Sequence, residues 1–388
     1  MRMNAVQQGI LSVLGVCIAA PTFATGITVY KDGEKYLKMG GRIQMQYYKA
    51  DPDNGSSTDE VFLRRFRPYI EGSIHKDWKG KFQFDFGKAS GDNEVAVKDA
   101  YMEYKGFDGV KILLGNVKTA FSREFLTSSK KQQLVERTFV GDHNYGSPDR
   151  SLGIHLKGSN GENLTWGATF AQANIDPDAK KLDFDTPVNN SGDWNEGWVT
   201  AARVDFHPFG ILKMSQGDFE GDTKATIGIA AFRWNNDDDN NCYTDTSLSC
   251  FGASTSKADV DEVTGFELSG GFRTAGVSID AQYNKLSADT VNNNFTGGIF
   301  RNGSTDLENW AIEGGYMVVP SKLELVAGYQ SQDADNYGTE WTRSSFGVNW
   351  YIHKHDIKLQ TTFRKNADKD GVKGNDEDEL FVQAQYVF

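Results

Sequence analysis

What most constrains this chain is a rhythm. Segments of about ten residues, apolar at every second position, recur from one end to the other between turn residues. WKGKFQFDFGK sets Phe82, Phe84 and Phe86 against Lys81, Gln83 and Asp85. DELFVQAQYVF sets Leu380, Val382, Ala384, Tyr386 and Phe388 against Phe381, Gln383, Gln385 and Val387. Within Glu60–His75 the alternation puts Phe62, Phe66, Ile70 and Ile74 on one face. Successive side chains of a strand point to opposite faces, so each segment carries one apolar and one polar face. Sixteen such segments are expected, near 37–49, 60–75, 78–88, 95–105, 110–118, 149–157, 164–175 and 198–209, then 224–234, 263–273, 277–286, 310–319, 323–332, 341–353, 356–364 and 377–388.

The connections alternate as well. Those near 75–78, 106–109, 158–162, 274–276, 320–321 and 353–355 are tight, and only 208–222 at that end is longer. Those at 119–148, 176–196, 235–262 and 287–308 are long. An even strand number with short inner turns and long outer loops predicts an all-β fold, a 16-stranded antiparallel transmembrane β-barrel. The mature chain has no apolar run of the length, about 20 residues, that a membrane helix needs. A net charge of −12 excludes a nucleic-acid partner, which requires a basic face. Glycine outnumbers proline 41 to 8 and aromatics reach 12%, which suits many twisted strands.

The polar parity is expected to line a water-filled lumen, because a charge facing lipid at mid-membrane costs ~2–4 kcal/mol. Arg65, Arg67, Lys111, Arg203, Arg273, Lys358 and Arg364 then face inward, with Glu71, Asp85, Glu267, Glu313 and Glu324 among the acids. These charges could instead pair across strands. The connection TAFSREFLTSSKKQQLVERTFVGDHNYGSP (119–148) is the third external loop. Phe121, Phe125, Leu126, Leu134, Val135 and Phe139 are more apolar than a solvated loop needs, so the loop is expected to fold into the lumen. It would bring Arg123, Lys130, Lys131 and Arg137 to a constriction, against Glu124 and Glu136. Arginine and lysine rings are how anion pores select. The alternative is a loop folded over the mouth.

Residues 1–24 read as a signal peptide: Arg2, an apolar core Ile10–Ala20, and a small residue at Ala24. The barrel domain is then 25–388. Cys242 and Cys250, in NNDDDNNCYTDTSLSC, are expected to form a disulfide after export, two free thiols being the alternative.

The stretches FLRRFRPYIEGSIHKDWKGKFQFDF (62–86) and VKDAYMEYKGFDGVKILLGNVKTAFSREFLTSSKKQQLVERT (97–138), with the aromatic C-terminus, resemble the phosphate-selective porin O and P family. The resemblance is closest over Gly40–Gly158. It implies a homotrimer in the Gram-negative outer membrane, in contact with lipid and lipopolysaccharide. It also implies passive uptake of phosphate or other small anions, without a cofactor. Arg65, Arg67, Lys111 and Lys118 fall in matching motifs, whereas Leu113 stands where a basic residue is expected. The rival readings are a non-selective or weakly cation-selective general porin, and a barrel enzyme or adhesin with a blocked lumen. The enzyme reading lacks G-x-S-x-G and H-E-x-x-H. His353 and His355 are too few for zinc. DKDGVKGNDEDE (368–379) echoes a calcium loop but departs from its spacing after Gly371. No metal site is expected.

Overall fold

The computed structural model describes residues 26–87, 95–184, 195–237 and 256–388. The expected leader at 1–24 and the expected Cys242–Cys250 pair lie outside the described residues. The strands are β1 (Ile27–Asp32), β2 (Lys35–Gly40), β3 (Arg42–Pro52), β4 (Thr58–Phe66), β5 (Tyr69–His75), β6 (Trp78–Asp85) and β7 (Ala96–Phe107). Next come β8 (Val110–Lys118), β9 (Arg150–Asn160), β10 (Leu164–Asn174), β11 (Glu196–Phe206), β12 (Lys224–Asn236) and β13 (Val260–Thr274). The last are β14 (Val277–Thr290), β15 (Ser304–Val319), β16 (Leu323–Ala334), β17 (Trp341–His353), β18 (Ile357–Ala367) and β19 (Glu377–Val387). All nineteen belong to one sheet.

Each strand from β5 to β19 pairs antiparallel with the next, and β19 pairs with β3 from Glu377↔Pro52 to Val387↔Arg42. Every segment expected from alternation is strand. Two are broken, the first at Gly41 and the second at Arg67-Pro68. The break at Gly41 is where the backbones of Gly41 and Phe388 bond to each other, at 2.8 and 3.0 Å. Pro68 has no N–H to offer the ladder. Strand β1 was not marked by alternation; all six of its residues are exposed.

Alternation misassigned a face within 60–75. The ladder runs Gln44↔Arg65 and then Met45↔Leu63, so Arg64 is an extra residue, a β-bulge. A one-residue shift swaps the faces of everything beyond it. Val61 and Leu63, not Phe62, therefore join Ile74 on the exposed face. Phe62 lies opposite the buried Gln46.

On the long strands from β12 to β17 the two faces separate cleanly. Ile227 and Ile229 on β12, Phe266 and Leu268 on β13, Trp310 and Ile312 on β15, and Phe346, Val348 and Trp350 on β17 are exposed. Their alternates are buried polar groups such as Glu267, Glu324, Ser345 and Asn349. An apolar belt of this extent is not a water-facing surface. The opposite face is wired by amides: Gln44 donates to Gln385 (2.5 Å), Gln383 to Gln360 (3.1 Å) and Gln360 to Asn349 (3.2 Å). The apolar core sits where strand ends meet connecting segments, and includes Phe121, Ile175, Leu182, Phe184, Trp234, Leu286 and Phe300. Among the described residues, no helix is long and apolar enough to cross a membrane.

Candidate functional site

The segment 119–148 is pinned to the polar face. Ser122 caps a single helical turn, Arg123–Leu126, accepting from the Phe125 N–H (3.1 Å). The Arg123 N–H donates to Glu267 on β13 (3.2 Å) and the Glu124 N–H to Gln282 on β14 (3.0 Å). Gln133 reaches Ser278 on β14 and Glu324 on β16, both at 2.6 Å. The Val135 N–H donates to Thr362 on β18 (3.2 Å) and the Phe139 N–H to Gln330 on β16 (2.8 Å). Phe121, Phe125, Leu134, Val135 and Phe139 are all buried. Hydrophobic content that a solvated loop would not need is used here to pack the segment down.

A cavity of about 700 Å³ remains between this segment and the strands at the β3–β9 side. Eleven Lys and Arg line it against six Asp and Glu, which inverts the sign of the acidic chain. Of the expected residues, Arg65, Arg67, Lys118, Lys130 and Arg137 are brought together here. The bulge adds Arg64 to Arg65 and Arg67, so RRFR delivers three guanidinium groups to one wall.

Several of these charges are neutralised locally. Glu136 takes Arg64 (2.8 Å) and Arg65 (3.5 Å), Asp85 takes Arg67 (2.6 Å), and Asp99 bridges Lys81 (2.8 Å) and Arg150 (2.7 Å). Burial works against ionising Glu136, but Arg64 and Arg65 outweigh it and hold its carboxyl at about 2. Arg42, Lys118, Lys130 and Arg137 have no carboxylate in ion-pairing reach among the described residues. Arg42 donates to Ser128 Oγ (3.2 Å) and Arg137 to the Thr127 carbonyl (3.0 Å). Lys118 donates to the carbonyls of Phe125 and Leu126. Lys118 and Arg137 lie 4.7 and 5.0 Å from the centre of the same Phe125 ring. The Nε groups of Arg42, Arg65 and Arg137 are buried donors without a protein acceptor. Cations held by neutral oxygens and a ring retain most of their field, and an anion between them would relieve their mutual repulsion. At the rim, burial opposes charge on His143, but its 2.6 Å contact with Asp183, and Asp149 and Asp142 nearby, raise it to about 9.

The remaining expected residues lie elsewhere. Arg203 is enclosed by Asp205 (2.6 Å) and Glu267, and Arg273 and Arg123 share Asp280 at 2.6 and 3.5 Å. These three are not open to a ligand, because acids already neutralise them in a dry setting. Lys358 is buried and donates to the Gln132 carbonyl (2.8 Å). Arg364 reaches Glu379 (3.8 Å) and the Glu136 carbonyl (3.2 Å). Lys131 stands outside the cavity, its carbonyl accepting from Gln216. Lys111 is exposed and lines a separate depression with Lys105 and Lys157, and Leu113 is buried opposite His155. His355 holds the Gln216 carbonyl (2.8 Å) while His353 meets Asp356 (3.4 Å), so the two histidines serve different partners.

Sequence reasoning missed Arg42, Arg64 and Arg150 as lining residues. Arg150 opens its strand directly after a loop, and that position was its available signal, whereas Arg42 follows the break at Gly41 inside an expected segment.

The description "Phosphate-selective porin O and P" matches residues 37–388. Porin O of Pseudomonas aeruginosa is 30% identical over 148 residues, 33% of this chain and 34% of that protein, so the aligned part spans about a third of that relative. A trimer form of OmpT, an outer membrane protein of Vibrio cholerae, superposes with a TM-score of 0.56 at 16% identity, covering 91% of this chain and 99% of the other. An anion-selective porin from Comamonas acidovorans gives a TM-score of 0.57 at 12% identity, covering 92% and 100%.

Proposed function

The chain belongs to the phosphate-selective porin O and P family, an outer-membrane channel family, and we propose that it forms a closed sixteen-stranded barrel passing small hydrophilic anions, phosphate among them. Support for the closed barrel comes from the ladder. Counting β2 with β3 and β4 with β5, whose pairs keep one register across their breaks (Met39↔Ile70, Ile43↔Phe66), and leaving β1 aside, the nineteen strands become sixteen. The β19–β3 pairing satisfies edges that hydrocarbon would not tolerate. On this reading the polar face is the lumen wall, 119–148 is the constriction loop, 1–24 directs export, and the barrel assembles as a homotrimer, as OmpT does in its trimer form.

The observation that carries anion preference is the convergence of Arg42, Lys118, Lys130 and Arg137, without carboxylate partners, on one cavity. A second reading, a general porin of weak selectivity, is favoured by the six carboxylates on the same walls. The folded protein in a planar bilayer under a potassium chloride gradient should give an anion-selective reversal potential, with chloride current reduced by added phosphate. Changing Arg42 and Arg137 together to Glu should shift the chloride-to-potassium permeability ratio by about tenfold toward the cation. A wild-type potential near zero or of cationic sign would leave the general porin.

A further inference from the structure

The connection from β11 to β12, residues 207–223, is the one inner turn that is not tight. It does not hang free. It runs across the same end of the sheet as three other turns and bonds to each. Asp218 accepts from the Gly276 N–H (2.7 Å) in the β13–β14 turn, where positive φ at Ala275 and Gly276 (47° and 85°) makes the two-residue hairpin. The Phe219 carbonyl accepts from Ser321 (3.0 Å) in the β15–β16 turn. The Gln216 carbonyl contacts His355 Nε2 (2.8 Å) in the β17–β18 turn, and the Phe219 ring packs on Tyr351 and His355 at 4.8 and 4.9 Å.

The same connection meets the 119–148 segment from below. The Gln216 N–H donates to the Lys131 carbonyl (3.0 Å), its Oε1 accepts from the Gln133 N–H (2.7 Å), and its Nε2 donates to Glu313 (2.5 Å). Every polar atom of Gln216 is thus engaged, and the residue is buried. Above this contact the polar side chains of the β13–β18 wall, Ser278, Glu324, Asn349 and Thr362, have 0% exposure. The other side of the interior keeps its cavity. Gln133 and Val135 of the constriction segment bond directly to these four side chains, and Gln216 of the connection holds Gln133 from the other side, so the two segments close this wall together.

We propose that residues 207–223 are a floor that closes the β13–β18 half of the lumen from the inner end and clamps the constriction segment through Gln216, leaving the basic cavity as the sole route. This rests on the channel reading above. The floor therefore sets selectivity indirectly. Without it a second path would open along Glu267, Glu313 and Glu324, three carboxylates with few free cations beside them.

The test replaces 209–221 with a two-residue turn of the kind joining β13 to β14, and compares it with Gln216→Ala in the full chain. Folding is checked by heat-modifiable gel migration. The shortened variant should conduct about twofold more or better per channel, with a reversal potential moved toward the cation side. Gln216→Ala should keep the mean conductance and add current noise. As a readout independent of conduction, Ser278→Cys in a background with the native cysteines changed to serine should resist a charged thiol reagent, and should react once 209–221 is shortened. Should the shortened variant fail to fold, Ser278→Cys combined with Gln216→Ala carries the same readout, and faster labelling is expected. Unchanged conductance and potential in a folded shortened variant, or Ser278→Cys labelling fully in the intact chain, would overturn the floor while leaving the channel standing. A wild-type protein that conducts nothing would instead remove the channel reading and the floor with it.

Discussion

The two halves of the interior solve opposite problems. On the β11–β18 side, charge is buried and cancelled: Arg203 between Asp205 and Glu267, Arg273 and Arg123 on Asp280, and amides bonded from Gln383 through Gln360 to Asn349. On the β3–β9 side, charge is kept in reach of water and only partly cancelled, with Arg42, Lys118 and Arg137 held by carbonyls, a hydroxyl and one aromatic ring. The residue types are the same. What differs is whether an acid stands within ion-pairing distance and whether solvent remains. A list of inward arginines therefore does not separate cancelled charge from uncancelled charge; the partners of each one do.

The largest expected effect breaks the dry half. Glu267→Ala removes a fully buried carboxylate that accepts from Arg203 and from the Arg123 N–H. Removing one partner of a buried pair strands the other. Because Asp205 still holds Arg203, a loss near the lower end, about 3 kcal/mol, is expected in the urea-unfolding midpoint in detergent micelles.

The next tests the boundary between the halves. Burial, above all, pushes the Glu124 carboxyl up to about 7. The folded state then holds a proton that the unfolded chain has released above its ordinary value near 4.5. Stability should fall as pH rises from about 4.5 to about 7 and level off above, by about 3 kcal/mol. Glu124→Gln should flatten that slope in unfolding curves taken across the same window. A slope of opposite sign would mean that Glu124 is ionised and stabilised by Arg137.

The smallest effect sharpens the wet half. Glu136→Gln frees Arg64 and Arg65 from their shared acid. Anion over cation permeability should rise about threefold, the equivalent of ~0.6 kcal/mol. A fall would place Glu136 as a positioning group for the two guanidinium groups rather than a counter-charge.

Much of this architecture was legible because alternation is a local property. Val110–Lys118 and Trp341–His353 have the bounds their side chains announced, and the apolar residues of 119–148 already required a packing surface. What was not legible depends on partners distant in sequence. The bulge at Arg64 is defined by its register against β3, and without it Phe62 was assigned to the wrong face and Arg64 to no role. The silencing of Arg123 needs Asp280, and that of Arg364 needs Glu379, pairings that only the folded ladder sets. Arg203 and Asp205 sit two apart on one strand, so that neutralisation was visible in the sequence and could have been read.

The β3–β19 ladder carries a consequence for how the molecule comes into being. Its partners, such as Gln46 and Gln383, are separated by nearly the whole chain. Contacts this remote cannot nucleate early, because the loop they close must first lose its entropy. Until β19 arrives, β3 has a row of unmet amides along one edge, and a lipid environment penalises each of them. Assembly of this fold is therefore committed late, and its precursors belong in the company of something that shields an open edge.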